Sequence, residues 1–309
     1  MMRAAGKPGP ASAAPGAPAA PAAYPAATVF HEPKASGALL GRRAALAAVV
    51  AVVASLVAIA VAGHVLGDAA VATDFAARNL APSLAHPFGT DWMGRDMFAR
   101  TLAGLSTSVA VGVAAAAASS VIALVLAAIA ALGGPRADAA VGWLIDLTMG
   151  IPHMVLLILI SYALGRGALG VMVGVSVTHW PSLARVLRAE ILQVQEEPYI
   201  ATARALGVPR VRIAVSHMLP HVLPQYLVGL ILLFPHAVLH EASITFLGFG
   251  LSPEQPAIGV ILSEAMGYLT SGSWWLAVFP GLALLLVVLL FDRAGALLRR
   301  LVTPEGVQA

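Results

Sequence analysis

Long apolar runs alternate with short polar segments along most of this chain. A transmembrane helix needs about 20 predominantly apolar residues, so this pattern predicts six membrane-spanning helices. The predicted spans cover residues 44–66, 106–132, 139–164, 169–180 with an extension to about 184, 223–248 and 274–291. An even number of spans places both termini on the same side of the membrane.

The composition supports an all-α membrane protein with a six-helix transmembrane bundle. Apolar residues make up 59% of the 309 residues and charged residues 11%, whereas soluble domains carry roughly 25% charged residues. Six spans leave no room for a large soluble catalytic domain. The chain has no cysteine, which excludes disulfides and thiolate metal sites.

The chain divides into a transmembrane domain, residues 39–300, and two tails. Residues 1–38 are rich in Ala and Pro and contain almost no large apolar side chains, so we expect a disordered cytoplasmic tail. Residues 301–309 are expected to form a cytoplasmic C-terminal tail. The apolar run 44–66 exceeds the core of a signal peptide, which is about 7 to 15 residues long, and therefore predicts an uncleaved first span.

The positions of the basic residues predict the orientation of the bundle. If both termini are cytoplasmic, fourteen of the 18 Lys and Arg residues lie inside; only Arg78, Arg95, Arg100 and Arg166 lie outside. Cytoplasmic loops of membrane proteins carry this excess of positive charge. The net charge of +3 is therefore a signal of membrane topology, and it does not indicate nucleic-acid binding.

The cytoplasmic loop of residues 185–222 predicts a helical corner. Residues 182–195 have helical periodicity, and Pro198 ends that helix. A short helix over 199–206 is followed by Gly207, and Pro209 opens a third helix that reaches about residue 218. Such a corner could insert into a groove of another protein, or it could lie passively on the membrane surface.

Two segments of this loop resemble the cytoplasmic "EAA" loop of ABC importer permeases. Residues 199–207 read Tyr-Ile-Ala-Thr-Ala-Arg-Ala-Leu-Gly, and residues 217–220 read His-Met-Leu-Pro. The Glu-Ala-Ala of the motif is Ala-Thr-Ala here, so the carboxylate is missing. The resemblance implies a coupling helix that docks onto an ATPase subunit. It assigns to this coupling loop the residues Ala201, Ala203, Gly207, Leu219 and Pro220.

Further motifs, in the same order, are similar to the C-type permease subunit of dipeptide, oligopeptide and nickel importers. They are residues 86–91 with 94–96, Trp180-Pro181 with Arg185 and 188–190, residues 241–250, and residues 279–281. The resemblance implies a multi-pass subunit of the cytoplasmic (inner) membrane that translocates peptides or nickel. It also implies as partners a second permease subunit, two ATP-binding subunits and an extracytoplasmic substrate-binding protein, within the lipid bilayer.

The chain contains no ATPase site of its own. A phosphate-binding loop of the P-loop type requires a Gly-Lys-Ser/Thr sequence, and the only lysines, Lys7 and Lys34, precede Pro and Ala. We therefore expect a non-enzymatic transport subunit that carries no cofactor, with ATP hydrolysed by partner subunits. A gradient-driven secondary transporter with a His/Glu relay is the alternative mechanism, and a membrane scaffold that transports nothing is the alternative from another class.

Ionisable residues within the predicted spans are candidates for the translocation path, because unpaired charges are costly in lipid. They include His153, His236, His240 and Glu241, together with His64 and His179 at the ends of spans. His236 and His240 are four residues apart and share a helical face. The imidazoles could bind nickel or zinc, or they could only form hydrogen bonds between helices. No metal site is assigned.

The outer segment of residues 67–105 contains a turn-rich stretch around Asp91, Arg95 and Asp96. These three residues could form a turn with an internal ion pair. They could equally contact a substrate-binding protein or the mouth of the pore. In the second span, the small residues at 112, 114–118, 119 and 120 are expected to permit close packing of helices.

Overall fold

The computed structural model describes residues 35–302, and within this range all regular secondary structure is helical apart from one isolated bridge between Thr90 and Asp96. The prediction of an all-α fold is therefore confirmed. The α-helices are α1 (Ala35–Val65), α2 (Gly67–Val71), α3 (Met97–Leu132), α4 (Pro135–Gly150), α5 (His153–Ala163), α6 (Ala168–Gln195), α7 (Pro198–Ala205), α8 (Arg210–Ile213), α9 (Leu219–Phe246), α10 (Ile258–Met266) and α11 (Trp275–Val302).

The predicted tails fall almost entirely outside the described residues. Helix α1 begins at Ala35, so the predicted N-terminal tail overlaps it at residues 35–38. At the other end α11 continues to Val302, two residues into the predicted C-terminal tail. Residues 1–34 and 303–309 lie outside the part of the chain that the structure describes.

The predicted count of six spans is not reproduced helix for helix. Over the described residues, four helical segments are long and apolar enough to cross a membrane: Leu46–Val65, Met97–Leu132, Arg210–Phe246 and Trp275–Arg299. A bent pair, α4 with α5, brings the number to five if it is counted as one span. The predicted fourth span is the apolar first half of α6, whose second half carries the charges of the cytoplasmic loop.

The predicted third span, residues 139–164, is not one continuous helix. Helix α4 ends at Gly150, α5 begins at His153, and the two are bent by 94°. The cause is local. Ile151 has φ −93° and ψ 135°, the extended conformation that a following proline imposes on its neighbour, and Pro152 then occupies the N-cap of α5.

Two boundaries predicted in the cytoplasmic loop are also wrong. The fourth span and the first loop helix form one helix, α6, which accommodates Pro181 in its interior. The third loop helix does not end near residue 218, because α8 passes through a π-helical turn, Ala214–Met218, directly into α9. Only α7 is a separate short helix, and it lies between the ends of two long ones.

Helix α3 occupies the centre of the bundle and packs against α1, α4, α6, α9, α10 and α11. Its buried face consists largely of small residues, including Gly112, Ala115, Ala116, Ser119 and Ser120. A Cβ built on Gly112 would collide with the Val238 side chain and lie 3.3 Å from its Cα atom. Close packing was the role expected for these small residues, and the structure shows it at this position.

Helix α10 was not predicted, because the segment between the last two spans is too short and too interrupted to give a membrane signal. It packs between α9, α11 and α3. Its first turn approaches α3 at Gly104, where a Cβ would lie 3.2 Å from the Ala257 carbonyl carbon and 3.3 Å from the Ile258 nitrogen. The buried Ile258 and Ile261 anchor this helix against the bundle.

Candidate functional site

A cavity of about 520 Å³ opens where three helical elements meet. The break between α4 and α5 forms one wall, and the middle of α6 and of α9 form the others. Its polar lining comes from four histidines, two threonines and a serine: His153, His179, His236, His240, Thr148, Thr178 and Ser182. Gly150, Ile151 and Pro152, at the non-helical connection between α4 and α5, also line the cavity.

Three of the histidines form a compact cluster on the cavity wall. The ring centroids of His153, His179 and His240 are 4.5, 4.6 and 4.8 Å apart, and each pair packs edge to face. The rings are contributed by α5, α6 and α9, respectively. One ring nitrogen of each histidine lies within 4.8 Å of those of the other two.

Hydrogen bonds fix the tautomer of two of these rings. Nδ1 of His179 lies 3.0 Å from the carbonyl oxygen of Val175, and Nδ1 of His240 lies 2.7 Å from that of His236. A carbonyl oxygen only accepts, so Nδ1 must carry the proton in both rings. Nε2 of each neutral ring is then left with a free lone pair. The Nε2 atom of His179 lies 3.2 Å from the Nδ1 atom of His240.

The third ring has a nitrogen with no partner. Nε2 of His153 is buried and forms no hydrogen bond within the described residues. Buried polar atoms without a partner are uncommon in native proteins, because desolvation costs free energy that nothing restores. Nε2 of His153 therefore lacks a ligand or hydrogen-bond partner that would offset the cost of its burial.

The structure brings together only part of the predicted translocation path. His153, His236 and His240 line the cavity, and His179, noted in the sequence only as the end of a span, joins them. Glu241 does not line it. This carboxyl group is fully buried elsewhere in the bundle, where Thr245 Oγ1 donates a hydrogen bond to Oε1 at 3.0 Å. A relay that combines Glu241 with the cavity histidines thus has no support in the geometry.

The helical corner lies between the C-terminal end of α6 and the continuous α8–α9 segment. Gly207 terminates α7 with φ +75°, a left-handed conformation that favours glycine, and it is exposed. Ile200 is fully buried and fastens α7 to the bundle. Tyr199, Leu206 and Val211 instead expose 45%, 78% and 76% of their surfaces.

The other residues predicted for the coupling loop divide between the corner and the start of α9. Ala201 is exposed on α7, and Ala203 is half-buried beneath it. Leu219 and Pro220 are exposed in the first turn of α9. They are thus not the end of a separate loop helix, although they lie on the same continuous α8–α9 segment that follows the corner.

Polar contacts hold the base of this corner in place. The guanidinium group of Arg188 on α6 pairs with both carboxylate oxygens of Asp138 on α4, with an Nη2 to Oδ2 distance of 2.6 Å. Gln195, the last residue of α6, donates from Nε2 to the carbonyl oxygen of Ala131 at 2.9 Å. The corner is therefore attached to the ends of both α3 and α4.

The outer segment forms an ion network with α10 in which Asp91 and Arg100 are buried. Asp91 Oδ2 lies 2.6 Å from Nε of Arg95 and 2.9 Å from Nη1 of Arg100, and Glu264 Oε2 on α10 lies 3.1 and 2.8 Å from the same two arginines. The internal ion pair expected between Asp91 and Arg95 is thus present. Asp96 has a separate role, because it accepts from Ala99 N at the start of α3.

Comparisons with known proteins agree with this architecture. Residues 120–304 match the family described as binding-protein-dependent transport system inner membrane component. The dipeptide transport system permease protein DppC of Bacillus subtilis is 31% identical over 74% of this chain and 71% of its own length. A putative peptide permease protein of Brucella suis is 35% identical over 75% of this chain and 78% of its own length.

One structural neighbour shows the same fold. It is a chain of the MetNI methionine ABC transporter in an inward-facing conformation, with a TM-score of 0.55 over 67% of this chain and 98% of that chain, at 20% sequence identity. The shared fold and the similarity to peptide permeases place the chain in the class of ABC importer permeases. The chain belongs to the family of binding-protein-dependent transport system inner membrane components, as a multi-pass subunit of an ATP-driven importer. This assignment replaces the alternatives of a gradient-driven carrier and a non-transporting scaffold.

Proposed function

We propose that this chain is one of two permease subunits of an importer that moves peptides across the cytoplasmic membrane. Two ATP-binding subunits would supply the energy, and an extracytoplasmic binding protein would deliver the cargo. The observation that carries the proposal is the similarity to dipeptide and peptide permeases over about three quarters of the chain. The two relatives compared above are named for peptides, so peptides are proposed in preference to nickel.

The exposed corner supports docking of an ATP-binding subunit. Leu206 and Val211 expose most of their apolar surface on the two sides of Gly207, at the end of the bundle that carries most of the arginines. Two large exposed apolar side chains on such a short corner are suited to a protein interface. Because Ala201 and Thr202 stand where the motif has Glu and Ala, we propose that shape and apolar contact dominate at this position, without a carboxylate.

The anchoring of the corner explains how docking could move the bundle. Ile200 fixes α7 to the core, while Gln195 and Arg188 connect the end of α6 to α3 and α4. A force applied to α7 would therefore reach three helices as a unit. Two of these elements, α4 and α6, form walls of the histidine-lined cavity.

The cavity is proposed as part of the translocation path. Non-helical backbone at membrane depth is tolerated where it lines a cavity, and transporters use such broken helices to bind cargo. Backbone groups at the α4–α5 break and the imidazoles of His153, His236 and His240 offer donors and acceptors suited to a peptide. Glu241 is left out of this path because it is buried away from the cavity.

The orientation is proposed from the basic residues. Arg185, Arg188, Arg204, Arg210 and Arg212 all belong to the loop that holds the corner. The positive-inside rule favours a cytoplasmic position for that loop and, with the six spans predicted from the sequence, for both termini. The ion network of Asp91, Arg95, Arg100 and Glu264 then faces the outer side, towards the binding protein.

The decisive experiment reconstitutes the chain with its partner subunits in vesicles and follows ATP-dependent uptake of a labelled peptide presented by the binding protein. Ala201→Trp should lower both uptake and co-purification of the ATP-binding subunits by at least about tenfold, equivalent to about 1.4 kcal/mol of binding free energy. Ala72→Trp, at an exposed position near the outer end of the bundle, is the matched control and should change neither.

Two results would overturn the proposal. One is peptide uptake by this chain alone on a proton gradient without ATP. The other is full uptake and full retention of the ATP-binding subunits by Ala201→Trp. Uptake of nickel in place of peptide by the complete complex would reject the cargo while leaving the ATP-driven mechanism intact.

A further inference from the structure

The three-histidine cluster has a geometry that peptide transport does not require. We propose that His153, His179 and His240 form a binding site for a divalent transition-metal ion of the zinc and nickel class, set in the wall of the cavity. The ion would be held by three imidazole nitrogens, and its remaining coordination position would face the cavity. This inference goes beyond the proposed function and does not depend on it.

The spacing of the donors suits such an ion. Zinc–imidazole bonds of about 2.0–2.1 Å in a tetrahedral site place the donor nitrogens roughly 3.3 Å apart. One nitrogen from each ring lies within 4.8 Å of the others. Closing that distance needs shifts of roughly 1.5 Å or less.

Two of the three rings make the backbone contact that is typical of metal-ligating histidines. Such a histidine commonly donates its second ring N–H to a carbonyl or carboxylate, which fixes the tautomer and directs the free nitrogen to the metal. His179 and His240 both donate from Nδ1 to the carbonyl four residues earlier on their own helices. In both rings Nε2 then carries the lone pair, and a metal ion on His179 would replace the 3.2 Å contact of its Nε2 with Nδ1 of His240.

The unpartnered nitrogen of His153 supplies the third ligand. Its Nε2 atom is buried and has no hydrogen-bond partner among the described residues, although its ring contacts both other imidazoles. If the cluster served only to hold helices together by hydrogen bonds, this nitrogen would be expected to take part. A metal ion at the centre of the cluster would satisfy it.

The chemistry of the donor set selects the class of ion. Three neutral nitrogens suit zinc, nickel or copper, whereas magnesium and calcium require oxygen ligands. The ligands come from three helices, α5, α6 and α9, so binding would also clamp those helices together. The adjoining cavity of about 520 Å³ provides the route of entry and room for a water molecule or a donor atom of the cargo as a fourth ligand.

The test uses the full-length chain in lipid nanodiscs, purified on a tag that contains no histidine and stripped with a chelator. Equilibrium dialysis against Zn²⁺ and Ni²⁺ should give one tightly bound ion per chain. Each of three variants keeps an aromatic ring but loses the metal-binding nitrogen: His153→Phe, His179→Phe and His240→Phe. Each should weaken metal binding at least tenfold, because removal of a residue that only orients a ligand already costs about 10–100-fold in affinity. His64→Phe, at an exposed position on α1, should bind like the wild type.

Spectroscopy keeps the proposal testable where a variant does not fold. Co²⁺ bound to the wild-type chain should give the intense absorption of a four-coordinate site with three nitrogen ligands, and Zn²⁺ should displace the Co²⁺. A wild-type chain that binds no stoichiometric metal overturns the proposal. A cobalt spectrum identical to that of the hydrated ion also overturns it. Metal binding of wild-type strength in each of the three histidine variants would overturn it as well. Because no transport is measured, these outcomes are independent of whether the chain imports peptides.

Discussion

Nη1 of Arg100 on α3 lies 2.9 Å from Oδ2 of Asp91 in the outer segment, and the two side chains are only 4% and 3% exposed. The same guanidinium nitrogen lies 2.8 Å from Glu264 on α10. Arg100 therefore joins three elements that are distant in sequence: the outer turn, the central helix and the unpredicted helix α10. Removing one partner from such a buried network leaves the others without charge compensation.

Arg100→Gln should consequently destabilise the fold. Breaking a buried ion pair by removal of one partner costs about 3–5 kcal/mol, and the loss should be visible as a lower free energy of unfolding in mixed micelles. Arg185→Gln is the matched control, because its pair with Asp146 is 49% and 76% exposed and such pairs contribute at most about 1 kcal/mol. Equal losses in the two variants would contradict a structural role for the network.

Close packing between α3 and α9 gives a second prediction. Gly112→Leu places a side chain where Val238 already lies, and overpacking of this kind costs about 1–3 kcal/mol. Thermal unfolding in detergent should show a lower transition temperature for this variant. Gly142→Leu on α4 has open space within 4 Å of the added Cβ and should unfold near the wild-type temperature; a loss as large as that of Gly112→Leu would show that packing is not the cause.

The N-terminus of α3 can be tested through Asp96. Its Oδ1 accepts a hydrogen bond from Ala99 N at 2.9 Å, and its Oδ2 lies 2.8 Å from His86 Nδ1. Asp96→Ala removes the cap and should lower the free energy of unfolding by about 0.5–2 kcal/mol. Asp96→Asn retains a side-chain oxygen that can cap the helix and should lose less. If the two variants lose the same amount, the contact with His86 matters more than the cap.

The conformation of Gly207 gives a prediction about coupling. Its φ of +75° costs a residue with a Cβ roughly 1–2 kcal/mol, yet open space surrounds an added Cβ. Gly207→Val should therefore leave the bundle folded but distort the corner, so that ATP-driven uptake in the reconstituted complex falls several-fold. Gly207→Asn, which tolerates the left-handed region, should retain most of the uptake. Full activity of the valine variant would show that the angle of the corner is not critical.

The sequence by itself determined the class of fold and the identity of the corner. An apolar run of about 20 residues is stable in lipid as a helix, because the helix pairs its own backbone N–H and C=O groups. The all-α bundle therefore follows from composition and length. Gly207 and the two prolines, Pro198 and Pro209, mark the corner because their effects on the backbone are local. The break at Pro152 is equally local, and its signal was present in the sequence.

The composition of the cavity depended on the tertiary structure. His240 and Glu241 are adjacent, but successive residues of a helix point about 100° apart, so one lines the cavity and the other is buried away from it. His179 joins His240 from 61 residues away, and no periodicity connects them. Which face of each helix meets which neighbour is decided by packing contacts such as that of the Val238 side chain on Gly112, where there is no Cβ. Sequence patterns specify the helices, but only this packing sets their rotation and so brings three histidines together.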